Sequence, residues 1–279
     1  MPDIGFVNGR FMPLEEATVS VEDRGFQFGD GVYEVIRTYH GQPFQLDAHL
    51  ARLERSANAI ELPLPWNIQQ WATHVKDGIK RSGYPESKVY LQLTRGTAPR
   101  DHVFPASAQP TVVMTVREMR PVDSALQASG VSVMTMDDWR WGRCDIKSVN
   151  LLPNVLARQK AKQAGAFEAV FVRNGQETEG AVSNVMMVKA GRLLTAPEGE
   201  RILSGVTRTI ILELARKEGL PVEERFVMVE EFQRADEIFL TGTTVEVLPV
   251  IRVGGKPVSN GKPGPATQKL QAAFQRFVS

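Results

Sequence analysis

Lys147 sits in RCDIKSVN, with Ile146 before it and Val149, Leu151 and Leu152 after it. A lysine in such an apolar setting, just ahead of a helix, can be held unprotonated, and attack on an aldehyde needs a free amine. Glu179 sits in ETEGAVSN, where its carboxylate can hold a proton on a ring nitrogen; Ser183 and Asn184 follow as further polar contacts. Gly205-Val206-Thr207-Arg208 opens a helix, and backbone N–H groups at a helix start beside a hydroxyl suit a phosphate. Thr241-Gly242-Thr243-Thr244 is a second hydroxyl-rich turn. Arg100 and His102 share the loop TRGTAPRDHVFP, a fixed fork of donors beside an imidazole, able to grip a carboxylate. Tyr33, Val35 and Arg37 alternate in a β-rich run and therefore share one face, which can line a pocket.

Each of these residues also has an ordinary reading. Most lysines are solvated, Glu179 and the Ser183-Asn184 pair are turn residues, GVTR is a helix cap, and residues 96–105 are a polar surface loop. Arg52 lies off the apolar stripe of its helix, where a solvated position is the default. Cys144 reads as a buried structural thiol. The histidines (His40, His49, His74 and His102) have no cysteine nearby and suggest no metal centre. FGDG at 28–31 is too short for a dinucleotide fingerprint.

The elements that would position these groups can be read from periodicity. Asn8-Gly9 between IGFV and RFM predicts a hairpin. GVYEVIRTY is a strand that turns at His40-Gly41. Asp47 is a cap for a helix whose apolar face carries Leu50, Leu53, Ala57 and Ile60. A second helix is predicted over 67–82, with Ile68, Trp71, Ala72, Val75 and Ile79 inward and Gly83 as its stop. KVYLQLTR and TVVMTVR are strands. The second half reads as the strand VSVMTM, a helix over 156–164, hairpins turning at Asn174-Gly175 and Ala190-Gly191, a helix after Gly205, the strand EVLPVIRV and a C-terminal helix. The organisation expected is α+β with mostly antiparallel pairing: 1–118 as one domain, 119–128 as a connection broken at Pro121, and 129–279 as a second domain.

The bulk composition narrows the function classes. The 279 residues carry a net charge of +1, from 33 basic and 32 acidic side chains, without a charged block. Nucleic acid and anionic membrane are poor partners for such a chain. Hydrophobic residues make up 42%, no apolar run is long enough to span a membrane, and MPDIGFVNGRFMP lacks the pattern of a signal peptide. One cysteine excludes an intrachain disulfide and fits the cytoplasm.

Taken in order, EDRGFQFGDGVYEVIRTY, HLARL, LTRGTAPRDHVFP, RWGRCDIKSVNLLPNVLA, TEGAVSNV, LSGVTR and TGTTVE resemble the D-amino acid aminotransferases, of the class IV, fold type IV, family of pyridoxal 5'-phosphate (PLP) enzymes. The resemblance runs over almost the entire chain. It implies a small N-terminal α/β domain, a larger C-terminal pseudo-barrel domain, and a homodimer in which the Arg-x-His loop comes from the partner subunit. It also implies that Lys147 forms the Schiff base, Glu179 meets the pyridine nitrogen, and Arg52, Val206, Thr207 and Thr243 hold the phosphate. Glu168 is implied as an acid near the Schiff base, with Ser183 and Asn184 close to the cofactor. Tyr33, Arg100 and His102 are implied as the trap for the substrate α-carboxylate, with Val35 and Arg37 lining the side-chain pocket. Arg37 stands where a closely compared member has lysine, and Ala181-Val182 replaces a more serine-rich stretch. The implied reaction is ping-pong transfer from a D-amino acid (D-Ala, D-Glu or D-Asp) to pyruvate or 2-oxoglutarate. Alternatives within the fold are an L-branched-chain aminotransferase, an (R)-amine aminotransferase and an aminodeoxychorismate lyase; the Arg-x-His loop argues against all three.

Overall fold

The computed structural model describes residues 3–279. By compactness the chain divides into two units. The first comprises the chain up to Pro121 together with Ile146–Asn150; the second comprises Val122–Asp145 and Leu151–Ser279. Lys147 thus goes with the first unit, although it follows the 119–128 connection in sequence.

The first unit contains β1 (Ile4–Val7), β2 (Arg10–Pro13), α1 (Arg24–Phe28), β3 (Gly31–Tyr39), β4 (Gln42–Pro43), α2 (Leu46–Ala59), α3 (Ile68–Ser82), β5 (Ser87–Thr94) and β6 (Thr111–Glu118). The strands form an antiparallel sheet in the order β2-β1-β6-β5-β3-β4. The Asn8-Gly9 turn has both residues at positive φ, as its sequence predicts. Val32 and Ile36 of β3 pack with Leu50 and Leu53 of α2 and with Trp71 and Val75 of α3, so the even positions of β3 face the core. Tyr33, Val35 and Arg37 occupy the other face. The α3 prediction agrees with the structure in its bounds and its stop, with Gly83 ending the helix in the left-handed region; a capping box between Asn67 and Gln70, not anticipated from the sequence, fixes its start. The start of α2 differs from the sequence expectation. Gln45, itself at φ 52°, precedes the helix without a side-chain cap, and Asp47 lies inside the first turn. There its charge complements the helix dipole rather than capping an N–H.

The second unit contains α4 (Ser124–Ser129), β7 (Val131–Asp137), α5 (Leu152–Gln163), β8 (Glu168–Arg173), β9 (Gln176–Gly180), β10 (Asn184–Lys189), β11 (Arg192–Thr195), α6 (Val206–Lys217), β12 (Val222–Glu224), β13 (Val227–Met228), α7 (Val229–Phe232), β14 (Glu237–Gly242), β15 (Glu246–Val253), β16 (Lys256–Pro257) and α8 (Pro265–Val278). Its sheet runs β12-β11-β10-β14-β15-β7-β8-β9-β13, with β16 on β15. Pairing is less uniformly antiparallel than expected: β15–β7, β7–β8 and β11–β12 are parallel. Helix α5 fills the crossover from β7 to β8, the connection that a parallel pair requires, and Pro153 in its first turn starts it earlier than the sequence reading did. Among the described residues, no helix is long and apolar enough to cross a membrane.

Candidate active site

In the first unit, the Lys147 segment lies along the start of β3. The Tyr33 N–H donates to Lys147 O (2.9 Å), the Lys147 N–H donates to Ser56 Oγ on α2 (3.2 Å), and Val149 N–H donates to Gly31 O. Ile146 is buried in the core beside this segment. The lysine main chain is therefore clamped from both sides. Its Nζ lies 4.3 Å from the centre of the Tyr33 ring, which stacks in turn on Tyr90. Burial and the neighbouring Tyr33 push the Tyr90 hydroxyl up to about 12, and it donates to Gln92 Oε1.

Arg52 is buried, which overturns the solvated position that its place off the apolar stripe suggested. Its Nε and Nη2 donate to the two oxygens of Glu34 at 2.7 and 2.8 Å, and His49 Nδ1 lies 2.8 Å from Glu34 Oε2. Burial alone would raise the Glu34 carboxyl, but Arg52 and His49 outweigh it and hold the group at about 2. Burial keeps His49 below its ordinary range. The sequence held a signal for this cluster: Glu34 is the one acid on the core-facing side of β3, and His49 and Arg52 are three apart on a helix.

Arg37 is buried, stacked on Tyr39 (4.2 Å) and 3.8 Å from Glu86; Val35 is half-buried on the same face. Arg100 and His102 are exposed on the 95–104 loop. Arg100 lies over Phe28 (4.3 Å), and its Nη1 donates to Gln27 O; the His102 ring is 5.3 Å from Phe28. Gly96 lets this loop leave β5: its φ of 95° and a Cβ's collision with Gln109 O both exclude a larger residue.

In the second unit, Glu179 is held by several donors. Its Oε1 accepts from Arg140 Nη1, and its Oε2 accepts from Asn184 Nδ2 (3.0 Å) and the Leu203 N–H (3.1 Å). Such donors favour the charged form of a carboxylate. Arg140 is fixed by Asp138 through Nε and Nη2, both at 2.9 Å, and Glu179 and Asp138 raise its affinity for its proton against the cost of burial. Sequence reading missed Arg140, Ser56, Glu34, His49 and Leu203. Nothing in RWGRCD marks Arg140 as the partner of an acid 39 residues away.

Asn184 extends from Glu179 to the start of α6. Its Nδ2 also donates to Leu203 O, and a Cβ on Gly205 would collide with its Oδ1. Gly205 is the N-cap of α6 with no side-chain cap, and Val206 and the buried Thr207 begin the helix. Arg208, by contrast, is turned to Glu224, Glu198 and Ala196 O. Thr243 is half-buried in the β14–β15 turn. Glu168 is fully buried; its Oε1 accepts from the Val182 N–H (2.7 Å) and Ser183 Oγ (3.0 Å), its Oε2 has no hydrogen-bond partner, and burial pushes its carboxyl up. Cys144 is buried, its thiol pushed up to about 11 by burial, which suits a structural role.

These residues fit PLP. The uncapped N-terminus of α6 with Thr207 offers donors for a phosphate, Glu179 is an acid equipped to face a pyridinium, and Glu168 has one oxygen, 3.7 Å from Arg158, that makes no hydrogen bond among the described residues.

The class IV amino-transferase family profile matches residues 31–253. The chain is 44% identical to the D-alanine aminotransferase of Bacillus licheniformis over 97% of its length and 95% of that protein. It is 41% identical to the one from Staphylococcus haemolyticus, covering 98% and 97%. Among solved structures it is similar to the branched-chain amino acid aminotransferase of Escherichia coli (TM-score 0.93, 28% identity, 100% and 95% covered). It is also similar to the PLP-form of the branched-chain amino acid aminotransferase from Thermobaculum terrenum (TM-score 0.86, 27% identity, 99% and 94% covered). The fold agrees with these likenesses, and the chain belongs to the class IV aminotransferases, enzymes that work with PLP.

Proposed function

We propose that this chain moves the amino group of a D-amino acid, of the D-Ala, D-Glu and D-Asp class, to a 2-oxo acid such as 2-oxoglutarate or pyruvate by a ping-pong mechanism. PLP, when bound through Lys147, supplies an electron-withdrawing ring conjugated to the substrate nitrogen. Glu179 keeps its negative charge beside the ring nitrogen, with Arg140, Asn184 and Leu203 maintaining that charge. Arg52, Val206, Thr207 and Thr243 hold the phosphate, and Glu168, Ser183 and Asn184 line the cofactor. Once freed from the cofactor, the Lys147 amine would accept the proton from the substrate Cα and hold it for the second half of the transfer. Tyr33, Arg100 and His102 grip the α-carboxylate, while Val35 and Arg37 meet the side chain.

The feature that carries the D-specific reading is the loop bearing Arg100 and His102: handedness follows from the side on which the α-carboxylate is held when the Cα–H faces Lys147, and these two groups are suited to that hold. Identity of 44% to a D-alanine aminotransferase, against 28% and 27% for the two branched-chain structures, supports the same choice. A homodimer and a cytoplasmic location complete the reading. The exposed Val21, Phe26 and Val103 of the first unit support self-association, and one buried cysteine suits a reducing compartment. The test is a panel of paired D- and L-amino acids with 2-oxoglutarate as acceptor. Turnover of D-Ala, D-Glu and D-Asp is expected; a clear preference for the L-series would refute the assignment.

A further inference from the structure

The roles above leave Arg24 unused, although it is only 3% exposed and sits in the EDRGFQFGDG run. All three guanidinium nitrogens are committed. Nε donates to Asp30 Oδ2 (2.8 Å), Nη1 to Asp101 O (2.6 Å) and Val103 O (3.4 Å), and Nη2 to His102 O (3.4 Å). Its main-chain N–H donates to Gly96 O (2.9 Å). One side chain thus gathers three successive carbonyls of the loop that carries Arg100 and His102, and ties the loop's beginning as well.

The anchor is itself tied to the core of the unit. Asp30 also accepts from Arg95 Nε (2.8 Å) and Nη2 (3.1 Å), and Arg95 reaches the end of α2 through Ile60 O (2.7 Å) and Glu61 O (2.9 Å). Phe28, on the same short helix as Arg24, lies beneath the guanidiniums of both Arg24 (4.9 Å) and Arg100 (4.3 Å). Asp101, His102 and Val103 remain exposed while their carbonyls turn to the buried arginine. Among the described residues, the Arg100 side chain makes one long bond, to Gln27 O, besides its contact with Phe28, and the His102 ring has a ring contact alone.

We propose that Arg24 is a positioning residue for substrate binding. By fixing the backbone of residues 101–103, it sets where Arg100 and His102 can meet the α-carboxylate. It touches no substrate itself, and it rests on the trap reading given above. A charged donor on a carbonyl is a strong bond, and holding a loop in advance removes the ordering cost from each binding event. A misplacement of about 1 Å in such a contact can cost roughly 10²-fold.

The test compares Arg24→Met, Arg24→Lys and Arg100→Ala in the PLP-loaded enzyme, with steady-state kinetics, PLP affinity and hydrogen exchange of residues 97–104. Arg24→Met is expected to raise KM about tenfold or more for D-amino acids and 2-oxo acids alike. Its kcat should stay within about threefold, PLP affinity should hold, and exchange in the loop should quicken. Arg24→Lys keeps the charge beside Asp30 but lacks the fork, so it should fold normally and show an intermediate KM. Raised KM in Arg100→Ala with unchanged KM in both Arg24 variants would overturn the inference and leave the trap standing. Unchanged KM in Arg100→Ala would overturn the trap, and the functional role of Arg24 with it. A fall in kcat or in folded fraction without a KM change would reduce Arg24 to a structural residue.

Discussion

Glu34 in the first unit and Glu177 in the second are both strand acids cut off from solvent, and they are handled in opposite ways. Glu34 meets Arg52 and His49, and its carboxyl is pulled down to about 2. Glu177 Oε1 has no hydrogen-bond partner; burial, then the neighbouring charge of Glu179, push its carboxyl well above the ordinary range. Burial raises both groups, and only the presence of a cation decides the outcome. Glu179, two residues further along β9, shows how local that decision is: Arg140, Asn184 and Leu203 reach it, while Glu177 Oε1 receives no hydrogen bond among the described residues. Glu179 is surrounded by donors that favour its charged form, while burial and the charge of Glu179 push Glu177 toward its protonated form.

The largest effect should come from breaking the paired acid of the first unit. Arg52→Met leaves Glu34 buried without its main counter-charge, and removal of one partner from a buried pair typically costs about 3–5 kcal/mol. Thermal unfolding should show that loss, and PLP titration of the folded fraction should show weaker binding. Next is Glu179→Gln, which keeps the shape and removes the charge. Turnover should fall by about 10²–10³, a size common for the loss of one preorganised electrostatic contact, while PLP remains bound. Near-normal turnover would remove Glu179 from the chemistry.

Glu177 gives the opposite sign. Glu177→Met removes an unsatisfied buried group and should stabilise the fold by roughly 1–3 kcal/mol. The two acids also predict opposite pH responses. The folded chain holds the Glu177 proton that the unfolded chain releases, so this group costs stability as pH rises above 4.5. Glu34 contributes stability above 4.5 that is lost as pH falls toward about 2, and neutral His49 adds a loss as pH falls below 6.5. Melting temperatures from about pH 4 to 8 should therefore show the Glu177→Met advantage growing with pH; an advantage independent of pH would mean that Glu177 is ionised in the fold. The smallest effect is one of specificity. Arg37→Ala should weaken D-Glu and D-Asp selectively, by about tenfold in kcat/KM, with D-Ala little changed. Equal losses for all three substrates would make Arg37 structural.

Local signals in the sequence were legible where a single residue enforces a backbone state. Gly83 ends α3 with a left-handed φ that this residue type favours. The start of α2 was not legible, because Gln45 adopts that same region without a residue type that announces it. The parallel β15–β7–β8 pairing was missed because alternation identifies strands and says nothing about their neighbours. For the site, Lys147 stood out by its apolar setting, and Glu179 by family resemblance alone. The residues that make them usable lie far away in sequence: Ser56 is 91 positions from Lys147, and Arg140 is 39 from Glu179. Such pairs are created by folding and leave no spacing to read. Arg52 misled because a buried ion pair and a solvated arginine look alike on a helical wheel.

The central claim is that Lys147, clamped between β3 and α2, carries the cofactor. Borohydride reduction of the PLP-loaded protein, followed by proteolysis and mass mapping, tests it directly. The cofactor mass should appear on the peptide containing Lys147 and should disappear from it in Lys147→Ala; a label on any other lysine, or no label on a yellow protein, would contradict the account.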